Sequence, residues 1–88
     1  MELKELLKCV DHTMLSVTAT EADYNKLCDE AVAHGVASVC VPSSRVEMCA
    51  KRVNGKLDIC SVVGFPNGYQ DSRAKAYEAS LAIQARCY

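Results

Sequence analysis

The sequence predicts an α/β fold on a short parallel sheet, and three observations carry that prediction. Strand-like and helix-like stretches alternate three times along the 88 residues. The connections between them are only a few residues long. The middle strand-like run, Ala37-Ser38-Val39-Cys40-Val41, is uncharged, as a strand covered on both faces is. Strands that alternate with helices through short links form parallel crossovers. The same pattern sets a limit. Three units leave two open sheet edges and, if the helices share a face, one bare face. We therefore expect one domain over 1–88 that is a piece of a larger architecture.

Each element has a local reason. Residues 2–9 read as a short amphipathic helix with Leu3, Leu6 and Leu7 on one stripe. Val10 to Leu15 reads as a strand and 16–20 as a loop. Thr20 is a good N-cap, with Glu21 and Asp23 in the first turn; Thr18-x-x-Glu21 is an alternative capping box. Tyr24, Leu27, Cys28, Ala31 and Val32 recur at helical spacing, and Gly35 supplies the left-handed stop. After the second strand ends at Pro42, Ser44-x-x-Glu47 reads as a capping box. It opens a helix with Val46, Cys49, Ala50 and Val53 inward, ended by Asn54-Gly55. Leu57 to Gly64 is the third strand, and Phe65-Pro66-Asn67-Gly68-Tyr69 a loop rich in turn residues. Asp71 or Ser72 caps the last helix, with Ala74, Tyr77 and Leu81 on its predicted inner stripe.

Composition excludes several functions. Formal net charge is -1 and the charges are interspersed, so no basic stripe points to nucleic acid. Trp is absent, which argues against a base-stacking surface. No apolar run approaches the ~20 residues of a bilayer span, and the N-terminus has no signal-peptide core. We expect no membrane partner and a cytoplasmic setting. The six cysteines, Cys9, Cys28, Cys40, Cys49, Cys60 and Cys87, show no C-x-x-C spacing. They read as reduced, mostly buried small hydrophobes, and neither His12 nor His34 has ligand-like spacing to a cysteine pair. No metal and no cofactor is expected.

Asp11-His12-Thr13-Met14-Leu15, the 37–41 strand, Val63-Gly64-Phe65-Pro66-Asn67-Gly68 and Lys75-Ala76-Tyr77-Glu78-Ala79 together resemble deoxyribose-phosphate aldolase. The resemblance runs in order from about Val10 to Ile83. It implies a partial (β/α)₈ barrel: an N-terminal helix plus three βα units. It also implies the family's chemistry, a class I aldolase that joins or cleaves acetaldehyde and glyceraldehyde 3-phosphate through a lysine Schiff base, without metal. By motif, Asp11, Thr13 and Cys40 match the family's active-site lining, and Gly64, Phe65 and Pro66 its rim. The Schiff-base lysine, the lysine that tunes it, the acidic proton-transfer residue and the phosphate-binding loops match nothing up to Tyr88. Gln84-Ala85-Arg86-Cys87-Tyr88 departs from the family pattern, as an altered frame or a premature stop would; an engineered cut would sooner keep family-like sequence.

The residues present offer little chemistry of their own. Lys4, Lys8, Lys26, Lys51 and Lys75 lie on predicted helices, and Lys56 enters the third strand at the end away from the reacting face. A Schiff-base amine must be desolvated or set beside another cation. Asp11 and Thr13 project to one face as a proton-relay pair or as an idle polar pair at a strand end. His12 points the other way and reads as a packing residue. Cys40 is either an aldehyde-reactive thiol or a buried one. Tyr69 and Tyr88 are candidate interface anchors.

The bare arc sets the expected behaviour. Covering ~400–600 Å² of inner surface would favour association by roughly 10 kcal/mol before entropy costs. We expect a catalytically inactive, self-associating module, completed as a homodimer by stacking, edge pairing or exchange of a terminal helix (domain swapping). The alternative is an aldolase part completed by a C-terminal barrel fragment on another polypeptide.

Overall fold

A computed structural model describes residues 2–85. The elements are α1 (Leu3–Leu7), β1 (Asp11–Thr13), α2 (Glu21–His34), β2 (Ser38–Pro42), a 3₁₀ turn (Ser43–Arg45), α3 (Val46–Val53), β3 (Asp58–Val62) and α4 (Ser72–Gln84). The three strands are parallel and adjacent in chain order, β1-β2-β3, so the sheet is open at β1 and at β3. The expected arc of strand-and-helix units is present.

Register sorts the residues onto two faces. Asp11, Ser38 and Asp58 align across the sheet; so do His12, Val39 and Ile59, and so do Thr13, Cys40 and Cys60. Alternation puts Val39, Val41 and Ile59 on the face covered by helices. All three are at most 2% exposed, and they pack with Tyr24, Leu27, Cys28 and Ala31 of α2 and Val46, Cys49 and Val53 of α3. His12 shares that face and is half-buried. The other face carries Asp11, Thr13, Ser38, Cys40, Asp58 and Cys60. Its edge-strand residues are exposed or half-exposed, while Ser38 and Cys40 on the central strand are buried. This face is more polar than the sequence suggested, so large exposed apolar side chains lie elsewhere.

Helix α2 forms for the reasons read from its sequence. The Thr20 hydroxyl accepts from the Asp23 N–H at 3.3 Å, and the Asp23 carboxylate accepts from the Thr20 N–H at 2.8 Å. The box is thus Thr20–Asp23, not Thr18–Glu21. Gly35 closes the helix at φ 67°, a conformation a side chain disfavours. Asn54 closes α3 in the same left-handed region.

Three expectations need correction. The Ser44–Glu47 box is absent: a 3₁₀ turn occupies 43–45, and α3 starts after Arg45 without a side-chain cap. Leu3 and Leu6 of α1 stay 69% and 52% exposed, because no described element covers their stripe. Helix α4 turns a different face inward. Ala82 is buried and Lys75, Glu78 and Ala79 are half-buried, whereas Tyr77 and Leu81 are 69% and 47% exposed. Small side chains let α4 approach closely, and Glu78 fixes its rotation through the contacts described next.

Candidate functional site

The C-terminal ends of the strands and the loops that follow them form the candidate site. Three anchors build its rim, and two come from α4. The Glu78 carboxylate accepts from the Gly64 N–H at 2.8 Å and from the Ser43 hydroxyl at 2.6 Å. One side chain thus ties the β2–α3 turn to the β3–α4 loop. These two donors, Ser43 first and the Gly64 N–H second, hold the Glu78 carboxyl below its ordinary range. The Lys75 ammonium donates to the Gly68 carbonyl at 3.1 Å, and its stem lies against Gly64. Within the loop, the Gly68 N–H closes onto the Gly64 carbonyl at 2.6 Å.

Gly64 is buried and has φ 61°. A Cβ there would meet the Lys75 Cδ at 2.7 Å. Glycine is needed at this position for the backbone conformation and for the close approach of α4. Phe65 and Pro66, joined by a cis peptide bond, line a cavity of about 420 Å³ with Tyr24, Arg45, Val62 and Glu78. The Arg45 guanidinium stacks over the Tyr24 ring at 5.1 Å from its centroid. A larger cavity, about 730 Å³, lies between α3 and α4 over Val53, Leu57 and Ile59. It is a seam of mixed polarity, lined also by Glu47, Lys51, Asn54 and Gln84, and holds no rim residue.

The six residues singled out from the sequence fall into two groups. Gly64, Phe65 and Pro66 share the rim loop, and Phe65 and Pro66 share the smaller cavity. Asp11, Thr13 and Cys40 lie on the opposite face of the sheet from Val39 and Ile59, with Thr13 beside Cys40 in register. The structure does not bring the two groups into one cavity. Asp11 and Thr13 are not joined side chain to side chain. The Thr13 hydroxyl donates to the Asp11 backbone carbonyl at 3.0 Å, and the Asp11 carboxylate accepts from Ser38 at 2.8 Å. Among the described residues, no group of three or more His, Cys, Asp or Glu side chains is placed to hold a metal ion. Tyr69 is 79% exposed, and its hydroxyl accepts from the Asn67 side-chain amide at 3.2 Å. Tyr88 and Cys87 lie outside the described residues.

Sequence reasoning missed Ser38, Glu78 and Cys60 as partners. Glu78 carried one signal: it stands three residues after Lys75, on the same side of α4 as Ala79 and Ala82, where a charge needs a specific reason to face inward. Ser38 and Cys60 gave none, because register between strands is not written in either strand alone.

Five of the six lysines, Lys4, Lys8, Lys26, Lys51 and Lys56, are exposed. Lys75 alone reaches the rim, from an outer helix.

No protein-family profile matches the sequence. Curated relatives do. A deoxyribose-phosphate aldolase of Streptococcus pyogenes serotype M5 is 50% identical over 84 residues, which cover 96% of this chain and 38% of that protein. A solved structure from Coccidioides immitis, attributed to deoxyribose-phosphate aldolase, superposes with TM-score 0.94 and 32% identity over 99% of this chain and 35% of its own. The tetrameric deoxyribose phosphate aldolase of Aeropyrum pernix superposes with TM-score 0.88 and 28% identity, over 98% of this chain and 37% of its own. The chain spans little more than a third of the length of each.

Proposed function

We propose, from a likeness to the deoxyribose-phosphate aldolase family that runs through nearly the whole chain, that these 88 residues form an aldolase-type barrel arc that performs no aldol chemistry alone and self-associates. The arc works as one unit, 1–88, without a cofactor and in the cytosol. Asp11, Thr13 and Cys40 are retained lining positions, and Gly64, Phe65 and Pro66 a retained rim.

The observation that carries self-association is the outer face of α4. Tyr77 is 69% and Leu81 47% exposed, and they stand one turn apart on a helix whose other side is anchored. Such a patch costs free energy in water and is covered by association. A second copy is the occupant that needs no other gene product. The inactivity reading rests on the lysines: none combines burial with a place at the strand ends.

The second reading is favoured by how closely the arc keeps barrel geometry. The rim loop and the open β3 edge are as a following unit would need them. In that reading another polypeptide supplies the later strands, and the complete barrel cleaves 2-deoxyribose 5-phosphate to glyceraldehyde 3-phosphate and acetaldehyde.

Two measurements test these readings separately. Light scattering on the purified chain at micromolar concentration should give a dimer, and Tyr77→Asp with Leu81→Asp should give a folded monomer. A compact wild-type monomer refutes self-association. Borohydride reduction with acetaldehyde should leave no adduct on any lysine by mass spectrometry. An adduct on one specific lysine refutes the inactive reading.

A further inference from the structure

We infer that the smaller rim cavity is a binding site for a small monocarboxylate with a flat apolar body, held by Arg45. The cavity measures about 420 Å³ and lies among the loops that follow the three strands. Ligand pockets run from roughly 300 to 1,000 Å³, so a small organic acid is in its range.

Arg45 lines the cavity and is half-buried. Its guanidinium stands 5.1 Å from the centroid of the Tyr24 ring, and Tyr24 is 3% exposed. A buried ring is a fixed platform for the cation. Stacking uses one face of the planar group and leaves its N–H edge for an acceptor. Among the described residues, Arg52 and Arg73 are paired with Asp29 and Asp71, but nothing accepts from Arg45. A carboxylate completes such a fork with two parallel, charge-assisted hydrogen bonds. Ser44 lines the same cavity, is exposed, and has no hydrogen bond among the described residues, so its hydroxyl adds a donor. The Ser16 hydroxyl is already engaged with that of Thr18 at 3.0 Å.

The walls choose the rest of the ligand. Leu15, Val62, Phe65 and Pro66 supply apolar surface. Phe65 is 50% exposed, which leaves aromatic area for a flat partner to cover. Glu78 limits the charge. Its carboxylate lines the cavity and accepts from Ser43 and Gly64, and it keeps its negative charge. A cavity with one guanidinium and one carboxylate admits a monoanion and disfavours a dianion. The site needs neither aldol chemistry nor a second copy of the chain.

The test titrates benzoate into the ¹⁵N-labelled full chain at fixed protein concentration. Amide shifts should gather at residues 15–19, 43–45 and 62–66, which line or adjoin the cavity. The Kd should be about 1 mM, as suits a ligand of this size. Benzamide, the same shape without the charge, should bind at least about 10-fold more weakly. So should inorganic phosphate. Arg45→Gln should weaken benzoate binding about 10-fold or more, and Arg45→Lys should do so in part, since an ammonium has no fork. Arg73→Gln, at a side chain 93% exposed, should leave binding unchanged. Circular dichroism checks that each variant is folded. Should Arg45→Gln unfold, the benzamide comparison and nuclear Overhauser contacts from the benzoate ring to Phe65 in the wild type still decide. No saturable shift, equal binding of benzoate and benzamide, phosphate binding as tight as benzoate, or benzoate binding intact in a folded Arg45→Gln would each overturn the inference.

Discussion

Replacing Glu78 by Ala should loosen the rim and lower the stability of the whole chain. The substitution removes the acceptor for two donors, at 2.8 Å and 2.6 Å. Gly64 is buried, so its N–H is left without a partner at a cost of about 1–3 kcal/mol. The Ser43 hydroxyl is half-buried and regains water, so its loss adds only about 0.5–1 kcal/mol. A total of roughly 2–3 kcal/mol is large beside the ~4–13 kcal/mol that 0.05–0.15 kcal/mol per residue gives a chain of 88 residues. With a urea m-value of about 1 kcal/mol/M, the midpoint should fall by roughly 2–3 M. Urea unfolding followed by circular dichroism, at fixed protein concentration because association adds to stability, measures this.

Glu78→Gln separates charge from shape. It keeps one oxygen for the Gly64 N–H and should cost only about 1 kcal/mol. The pH dependence has a definite sign. Glu78 has a folded pKa below its ordinary 4.5. Its contribution is therefore complete above about pH 4.5 and is lost as pH falls through the depressed folded value. The wild-type and Glu78→Gln stabilities should converge at acid pH. An alanine variant within about 0.5 kcal/mol of wild type, or a gap between wild type and Glu78→Gln that persists at low pH, would refute the reasoning.

Three further outcomes follow from the same structure. Gly64→Ala forces φ 61° on a residue with a side chain and sets its Cβ 2.7 Å from Lys75; it should destabilise by about 1–3 kcal/mol, read as a urea midpoint shift, with Gly64→Ala/Lys75→Ala recovering only the steric part. Thr20→Ala removes the α2 cap and should cost about 1 kcal/mol by thermal unfolding, while Thr20→Asn should be near neutral. Ile59→Ala leaves a cavity beneath α3 at a site 2% exposed and should cost about 2–5 kcal/mol, enough to make the far-UV signal at room temperature sensitive to small amounts of urea.

Local chemistry made much of the fold legible. Thr20, the Tyr24–Leu27–Cys28–Ala31 stripe and Gly35 define α2 within one stretch of chain, and each acts there as read. The uncharged 37–41 run fixed β2 as the covered central strand for the same reason. Helix α4 was misread because its large apolar residues, Tyr77 and Leu81, were given the inward face. Its actual rotation depends on Gly64 and Ser43, far away in the chain, and on alanines that carry little hydrophobic signal. The Ser44 box failed because the backbone tightens into a 3₁₀ turn after Pro42, where the helical spacing the motif requires does not yet exist. The turn after β3 was visible through Gly64, Pro66, Asn67 and Gly68. The Asp11–Ser38 bond and the Cys40–Cys60 pairing were not, since both arise from strand register.

The eight-residue α3 has a consequence for how the chain reaches its native state. It is the briefest crossover in the sheet, and it joins the two best-paired strands within residues 38–62. Low sequence separation makes this β2–α3–β3 segment the quickest place to close a first nucleus, with β1 and α4 condensing onto it afterwards. Substitutions at Val46 or Val53 should then slow refolding, whereas Thr20→Ala should mainly hasten unfolding. Stopped-flow rates showing the reverse would put the nucleus elsewhere.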